Sequence, residues 1–196
     1  MRPDLAFLVG SRICHDLISP IGAISNGVEL LSLTDGDTGA EMELINQSVQ
    51  NANARIRYFR IAFGSASADQ MISRSEVLSI LAAIAKGGRF TYFWQIEGDQ
   101  QRQLVRCALL ILQCFETALP LGGDLHISHD GGDWVLSAEG PRITINEELW
   151  DSIRYPDSGF AHSAAQVQFA LLPDVITEAG RKLHLDVAPD WITARF

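Results

Sequence analysis

The chain has 196 residues, 47 % of them hydrophobic, which is enough to bury the core of one or two globular domains and excludes a disordered chain. Twenty-four acidic residues against 15 basic ones give a net charge of −9, and the basic residues are scattered, so we expect no direct nucleic-acid partner. The first residues resemble a helix start rather than a signal peptide, and no run approaches the roughly 20 apolar residues of a membrane span, so we expect a cytoplasmic protein without membrane contact. Three cysteines without Cys-x-x-Cys spacing indicate reduced thiols.

The first predicted helix covers residues 3–33. Its apolar residues recur at spacings of three and four and predict one buried stripe: Leu5, Val9, Ile13, Leu17, Ile21, Ile24, Val28 and Leu31. Polar or small residues form a strip on the opposite side: Arg12, His15, Ser19, Gly22 and Asn26. An imidazole among small neighbours leaves room for a second protein to approach, which is the geometry that a phosphoryl-carrying histidine needs.

A turn-forming cluster at residues 34–39 separates this helix from a second one, predicted over residues 40–63. Its apolar residues keep a heptad seam: Met42, Ile45, Val49, Ala52, Ile56, Phe59 and Phe63. Two antiparallel helices of this length form a hairpin that cannot cover both of its apolar surfaces alone. We therefore expect a homodimer in which two hairpins form a four-helix bundle. The alternative is that the hairpin folds back on the rest of its own chain.

The sequence predicts two domains, a hairpin for dimerisation and phosphotransfer over residues 1–66 and an α/β domain over residues 73–196. The second domain contains predicted helices at 73–86, 101–119, 147–154 and 163–179, and predicted strands at 90–97, 125–128, 134–138, 183–187 and 191–196. Ser73 and Glu76 indicate a capping box, and Asp130-Gly131-Gly132-Asp133 indicates a tight hairpin turn. This order predicts an α+β fold with helices on one face of a mixed sheet.

The segment His15-Asp16-Leu17-Ile18-Ser19-Pro20 resembles the phospho-acceptor motif of sensor histidine kinases, in which an acid follows the His and a small polar residue and Pro come four residues later. The hairpin and the α/β region follow the order of elements in those kinases. The wider stretch over residues 11–31 is similar to the alphaproteobacterial histidine phosphotransferases of the ChpT type. This resemblance implies a phosphorelay intermediate with His15 as phospho-acceptor and an α/β sandwich derived from the kinase ATPase domain.

The predicted α/β domain departs from the kinase pattern at the three places that hold Mg-ATP. Thr117 stands where a kinase has an Asn, Glu139-Gly140 stands where an Asp-x-Gly-x-Gly turn would be, and residues 160–165 replace a glycine-rich lid. We therefore expect no cofactor and no metal site on this chain, and the resemblance places the Mg²⁺ of the reaction on a partner receiver domain. An ATP-dependent autophosphorylating histidine kinase and a non-catalytic receiver-binding scaffold are the alternatives.

The resemblance suggests a role for Asp16, and the positions of Arg12 and Ser19, one helical turn before and after His15, suggest roles for these two residues. Asp16 is the candidate acceptor for the proton on the second ring nitrogen, against the alternative of a solvated charge. Arg12 would steady the phosphoryl oxygens or be a surface cation. Ser19 would position water or the partner's acid, or bond back to its own helix. The implied partners are the receiver domains of a hybrid histidine kinase and of response regulators.

Overall fold

The structure, a computed structural model, describes residues 4–33, 38–188 and 190–196. Two long helices, α1 (Leu5–Leu33) and α2 (Gly39–Ala62), form the predicted antiparallel hairpin. Most of the predicted turn between them lies outside the described residues. The two backbones approach closely at Gly27, where an added Cβ would lie 2.6 Å from Cγ1 of Ile45.

The α/β region begins at residue 71 and contains every helix and strand that the sequence predicted, with ends that differ by a few residues. Its elements are β1 (Met71–Ile72), α3 (Arg74–Ala85), β2 (Phe90–Trp94), β3 (Gln100–Gln101), α4 (Arg102–Ala118), β4 (Gly123–Asp130), β5 (Asp133–Glu139), α5 (Glu147–Arg154), a 3₁₀ turn (Ala164–Gln166), α6 (Val167–Glu178), β6 (His184–Val187) and β7 (Trp191–Arg195). The short strands β1 and β3 were not predicted.

The main sheet is mixed, as predicted, and has the strand order β2-β4-β5-β7-β6. β2 runs parallel to β4, and the other neighbouring strands are antiparallel. The β4–β5 hairpin turns at Gly131 and Gly132, whose φ angles of 60° and 94° lie in the left-handed region that a two-residue hairpin turn requires. The strands β1 and β3 form a separate antiparallel pair.

Helix α4 is the centre of the core, with 12 of its 17 residues buried. Cys107 and Cys114 are among them, and both are free cysteines, in agreement with the expectation of reduced thiols. The C-terminal end of α2 belongs to the same core, through Tyr58, Phe59 and Ile61. The hairpin and the α/β region therefore share one core, and their division into two domains stays a prediction.

Apolar side chains remain exposed along the hairpin of a single chain. Ile21 and Val28, two members of the predicted buried stripe of α1, are each 54 % exposed, so one chain does not bury that stripe. Among the residues that the structure describes, 16 large apolar residues are exposed, and ten of them lie on α1 and α2: Phe7, Ile18, Ile21, Val28, Leu30, Leu33, Met42, Leu44, Val49 and Ile56. Such a patch marks a surface that contacts another molecule.

Helix α1 is also long and apolar enough to cross a membrane by length and composition, with an 18-residue window of mean hydropathy 1.2. The expectation that no stretch approaches a membrane span was therefore wrong on these two criteria. A single helix of this kind is weak evidence for a membrane span, because core helices and signal sequences meet the same criteria. Arg12, His15 and Asp16 all lie within α1, and ionisable side chains are costly inside a bilayer.

Candidate functional site

His15 lies on the solvent-facing side of α1, as its position off the apolar stripe predicted. Its side chain is 83 % exposed, and Nδ1 lies 3.0 Å from Oδ1 of Asp16. This hydrogen bond assigns the ring proton to Nδ1, because a carboxylate can only accept. No hydrogen bond to Nε2 is found among the described residues, so this nitrogen presents its lone pair to an approaching partner.

Asp16 is largely withdrawn from solvent, with its side chain 11 % exposed. Its Oδ2 accepts a 2.8 Å hydrogen bond from Nε of Arg12, and Nη1 of Arg55 on α2 lies 3.7 Å from the same oxygen. The two guanidinium groups hold one carboxylate oxygen, while the other oxygen faces His15. The arrangement orients the carboxylate toward the imidazole and is not that of a solvated charge.

Arg12 connects the site to the α/β region. Besides its bond to Asp16, it donates from Nη1 to the backbone carbonyl of Ala165, just before α6, at 2.9 Å. Because of these contacts, Arg12 is not a free surface cation. Its expected contact with the phosphoryl oxygens stays a prediction. Ser19 is exposed one turn after His15, and within the described segments its hydroxyl makes no hydrogen bond back to its helix.

A cleft of about 570 Å³ opens on the inner side of Asp16, between the hairpin and the α/β region. We call it the junction cleft; its walls include Asp16 of α1, Phe59 of α2, Arg89 and Tyr92 at the start of β2, and Glu116 of α4. Sequence analysis did not identify it, because its walls come from segments up to 100 positions apart.

Glu116 is the most perturbed carboxyl group in this cleft. Burial raises its pKa to about 7, and the Tyr92 hydrogen bond and nearby arginines oppose that rise only in part. The Tyr92 hydroxyl donates to Oε1 of Glu116 at 2.8 Å, and burial followed by the Glu116 charge raises the pKa of Tyr92. The spacing of Gln113 and Glu116 after the apolar run from residue 107 to 112 was the available sequence signal, since residues three apart share a helix face.

Thr117, the residue after Glu116 in α4, is at the position where a kinase would have its Asn. Oγ1 of Thr117 accepts a 3.1 Å hydrogen bond from Nε2 of Gln168, a buried side chain of α6. The same amide nitrogen donates to the carbonyl of Ala165 at 3.2 Å. At the end of β5, a Cβ added to Gly140 would lie 2.7 Å from the Gly122 carbonyl oxygen, so this turn packs tightly against its neighbours. The described residues contain no cluster of three or more His, Cys, Asp or Glu side chains that could hold a metal.

Comparisons with known proteins agree with these observations. The family model of the histidine phosphotransferase C-terminal domain matches residues 74–190. The protein phosphotransferase ChpT of Brucella abortus (strain 2308) is 33 % identical over 192 residues, covering 93 % of this chain and 90 % of the relative. A 1.7 Å structure of a bacterial phosphotransferase superposes with a TM-score of 0.79 at 28 % identity, covering 98 % of this chain and 95 % of the other. The chain therefore belongs to the histidine phosphotransferase family and is of the ChpT type.

Proposed function

We propose that this histidine phosphotransferase is a phosphorelay intermediate that carries the phosphoryl group on His15. It takes the group from the receiver aspartate of a hybrid histidine kinase and passes it to the receiver aspartate of a response regulator. The observation that supports this most is the exposed imidazole whose Nδ1 is bonded to Asp16, while Nε2 faces solvent. A site for a macromolecular donor and acceptor must be open, and His15 meets that requirement.

In the proposed reaction, the lone pair on Nε2 of His15 attacks the phosphorus of an aspartyl phosphate. The new N–P bond forms while the P–O bond to the donor aspartate breaks, and its electron pair leaves with the donor carboxylate. The proton on Nδ1 stays in its hydrogen bond with Asp16, which stabilises the positive charge on the ring during transfer. The second transfer is the same step in reverse, with the acceptor carboxylate attacking the phosphorus.

Positioning and electrostatics account for most of the catalysis of such a transfer, because the transition state is loose and its charge is spread over the phosphoryl oxygens. In this proposal, Arg12 and Arg55 hold Asp16 in place, and Asp16 holds the imidazole. Ser19, exposed one turn after His15, can donate a hydrogen bond to the docked partner. The resemblance to the family implies that Mg²⁺ comes with the partner receiver.

We also propose that the chain has no ATP-dependent kinase activity of its own and needs no nucleotide or metal. The contact between Thr117 and Gln168 supports this proposal, because a buried glutamine from α6 holds the hydroxyl where a kinase has its Asn. Gly140 supports it as well, since its close packing leaves no room for a side chain at that turn. Family membership favours the phosphotransferase over the kinase and scaffold alternatives.

The exposed apolar residues of the hairpin support a homodimer. Ile21 and Val28 of α1 and Val49 and Ile56 of α2 are exposed in one chain, and a second copy offers a matching surface in a four-helix bundle. The same pairing would cover the apolar length of α1 without a membrane. We therefore propose a cytoplasmic dimer that binds neither membrane nor nucleic acid.

Receiver domains are proposed to contact the hairpin and the α/β region together. The bond from Arg12 to Ala165 brings the start of α6 to the same helix turns that carry His15. A receiver docked over His15 therefore meets both surfaces, and the larger combined area can support discrimination between partners.

A reconstituted relay tests this function. Radiolabelled hybrid kinase and a response regulator are mixed with the wild type, with His15→Gln or with no third protein. We expect label to reach the regulator only with the wild type, and unchanged flux with His15→Gln would support a scaffold instead. In a second arm, labelled ATP is incubated with this protein alone. Strong labelling of His15 there would support the kinase.

A further inference from the structure

We propose that the junction cleft binds a small organic phosphate with a flat, hydrogen-bonding ring, the chemistry of a purine nucleoside monophosphate. The cleft lies beside Asp16 but does not include the His15 side chain, so it is a second site next to the relay histidine. Its volume of about 570 Å³ lies within the range of cavities that hold ligands of this size, roughly 300–1,000 Å³.

The rim of the cleft is cationic although the chain is acidic overall. Arg55 on α2 is 40 % exposed, and Arg89 is exposed with its guanidinium carbon 5.2 Å from the Phe90 ring centroid. Arg89 forms no salt bridge with the described residues, although its charge lowers the pKa of Glu116 in the same cleft. Arginine side chains bind phosphate through paired N–H donors, so this rim is suited to the phosphate of a ligand.

The floor of the cleft is aromatic and carries a polar group without a partner. Tyr58 and Phe59 are buried there, and Gln113 is only 4 % exposed. Neither amide atom of Gln113 makes a hydrogen bond in the described residues; its amide lies near the Tyr58 hydroxyl without the geometry of a bond. A buried amide with both atoms unpaired is rare, and a planar ring with a donor and an acceptor on one edge would satisfy both.

Glu116 also lines the floor of the cleft, one helical turn after Gln113. A carboxylate can accept from two adjacent N–H groups, which the guanine ring presents on one edge. The cleft therefore has guanidinium groups at its rim and an amide and a carboxyl group inside. A purine monophosphate matches this arrangement, with its phosphate at the rim and its hydrogen-bonding ring inside. Thr117 contacts α6 instead, so the cleft is separate from the region where kinases of this fold hold ATP.

Isothermal titration calorimetry on the full-length protein tests this site, with GMP, AMP and inorganic phosphate as the three probes. We expect GMP to bind with a dissociation constant in the micromolar range and at least about tenfold more tightly than inorganic phosphate. Arg89→Ala and Gln113→Leu should each weaken GMP binding at least about fivefold. Arg142→Ala is the matched control, because Arg142 is exposed outside the cleft, and it should leave binding unchanged.

Cross-linking with 8-azido-GMP locates the bound ring. Adducts on peptides that contain residues 55–59, 84–92 or 113–116 would support the site, and adducts confined to residues 160–168 would overturn it. Binding of neither nucleotide at about 1 mM, or binding that both cleft variants leave intact, would also overturn it. Phosphotransfer through His15 without added nucleotide should be the same in Arg89→Ala as in the wild type, which shows that the variant is folded.

Discussion

His15 and Asp16 are adjacent in sequence but differ in exposure, since the imidazole faces solvent and the carboxylate lies against α2. In the proposed reaction, His15 therefore carries the phosphoryl group and Asp16 holds the imidazole ring in place. Because Oδ1 of Asp16 holds the Nδ1 proton, the ring is kept in the tautomer that leaves Nε2 free to attack. In the proposed reaction, Arg55 acts only through its contact with Asp16 and is a positioning residue.

The variant Asp16→Asn tests this support. The amide keeps the size of the side chain but loses the charge that stabilises the ring, so the rate of phosphotransfer through His15 should fall about 100-fold. Rapid-quench transfer from a phosphorylated receiver measures the rate. Glu29→Gln is the control, since it removes an exposed carboxylate from the same helix and should transfer at the wild-type rate. Wild-type kinetics in Asp16→Asn would show that Asp16 has no role in the transfer.

Glu116 makes the stability of the protein depend on pH. Its pKa rises from 4.5 to about 7 on folding, so the folded chain binds more protons than the unfolded chain between these values. The contribution of this residue to the free energy of unfolding therefore decreases as pH rises from about 4.5 to 7. Glu116→Gln removes the penalty of a buried charge and keeps an acceptor for the Tyr92 hydroxyl.

Denaturant unfolding of Glu116→Gln should therefore show a gain of about 2 kcal/mol over the wild type at pH 8 and almost none at pH 4. Glu139→Gln, at an exposed carboxylate, should show no such pH-dependent gain. A constant difference between Glu116→Gln and the wild type across this pH range would contradict the buried position of Glu116.

The exposed position of His15 could be predicted from the sequence, because its motif is local and its side of the helix follows from the helical period. Arg55 and Glu116 could not be found in the same way, since their relation to Asp16 depends on how α2 and α4 pack against α1. A sequence pattern places residues on a face of one element but does not show which faces meet.

At the scale of elements, α1 and α2 depend on close contact at Gly27. A Cβ there would overlap with Ile45, whereas a Cβ at Gly22 on the same helix would meet nothing within 4 Å. Gly22→Ala should raise the free energy of unfolding by about 0.5–1 kcal/mol, because alanine is the better helix former. Gly27→Ala should lower it by about 1–2 kcal/mol, since the overlap outweighs that gain. Equal effects of the two substitutions in thermal or denaturant unfolding would contradict the helix packing described here.

The elements that the sequence predicted well are those with strong local signals. The turn at Gly131 and Gly132 and the helix that begins after Ser73, whose hydroxyl accepts from the Glu76 amide, are set by neighbouring residues. The pair formed by β1 and β3 has only two residues in each strand, which is too short to show a period. The parallel pairing of β2 with β4 joins strands separated by all of α4, and no local pattern specifies it.

At the scale of the whole molecule, the exposed seam of the hairpin predicts a dimer of twice 21.5 kDa. A charge at Ile56 would be buried without a partner in that dimer, so Ile56→Asp should dissociate or unfold it. Leu121→Asp is the control, because Leu121 is 63 % exposed and lies outside the hairpin. Light scattering should show a dimer for the wild type and for Leu121→Asp. A wild-type monomer would contradict the four-helix bundle.

The site of phosphorylation decides the function proposed for the whole molecule, since the proposed donor and the proposed acceptor both react at His15. The most direct measurement is to incubate the protein with a phosphorylated receiver, purify it and locate the phosphoryl group by mass spectrometry and by NMR of the phosphorylated ring. We expect an acid-labile phosphoryl group on Nε2 of His15 and none on His15→Gln, whose fold should be unchanged because the side chain is 83 % exposed. A phosphoryl group on Nδ1 or on another residue, or transfer that persists in His15→Gln, would contradict it.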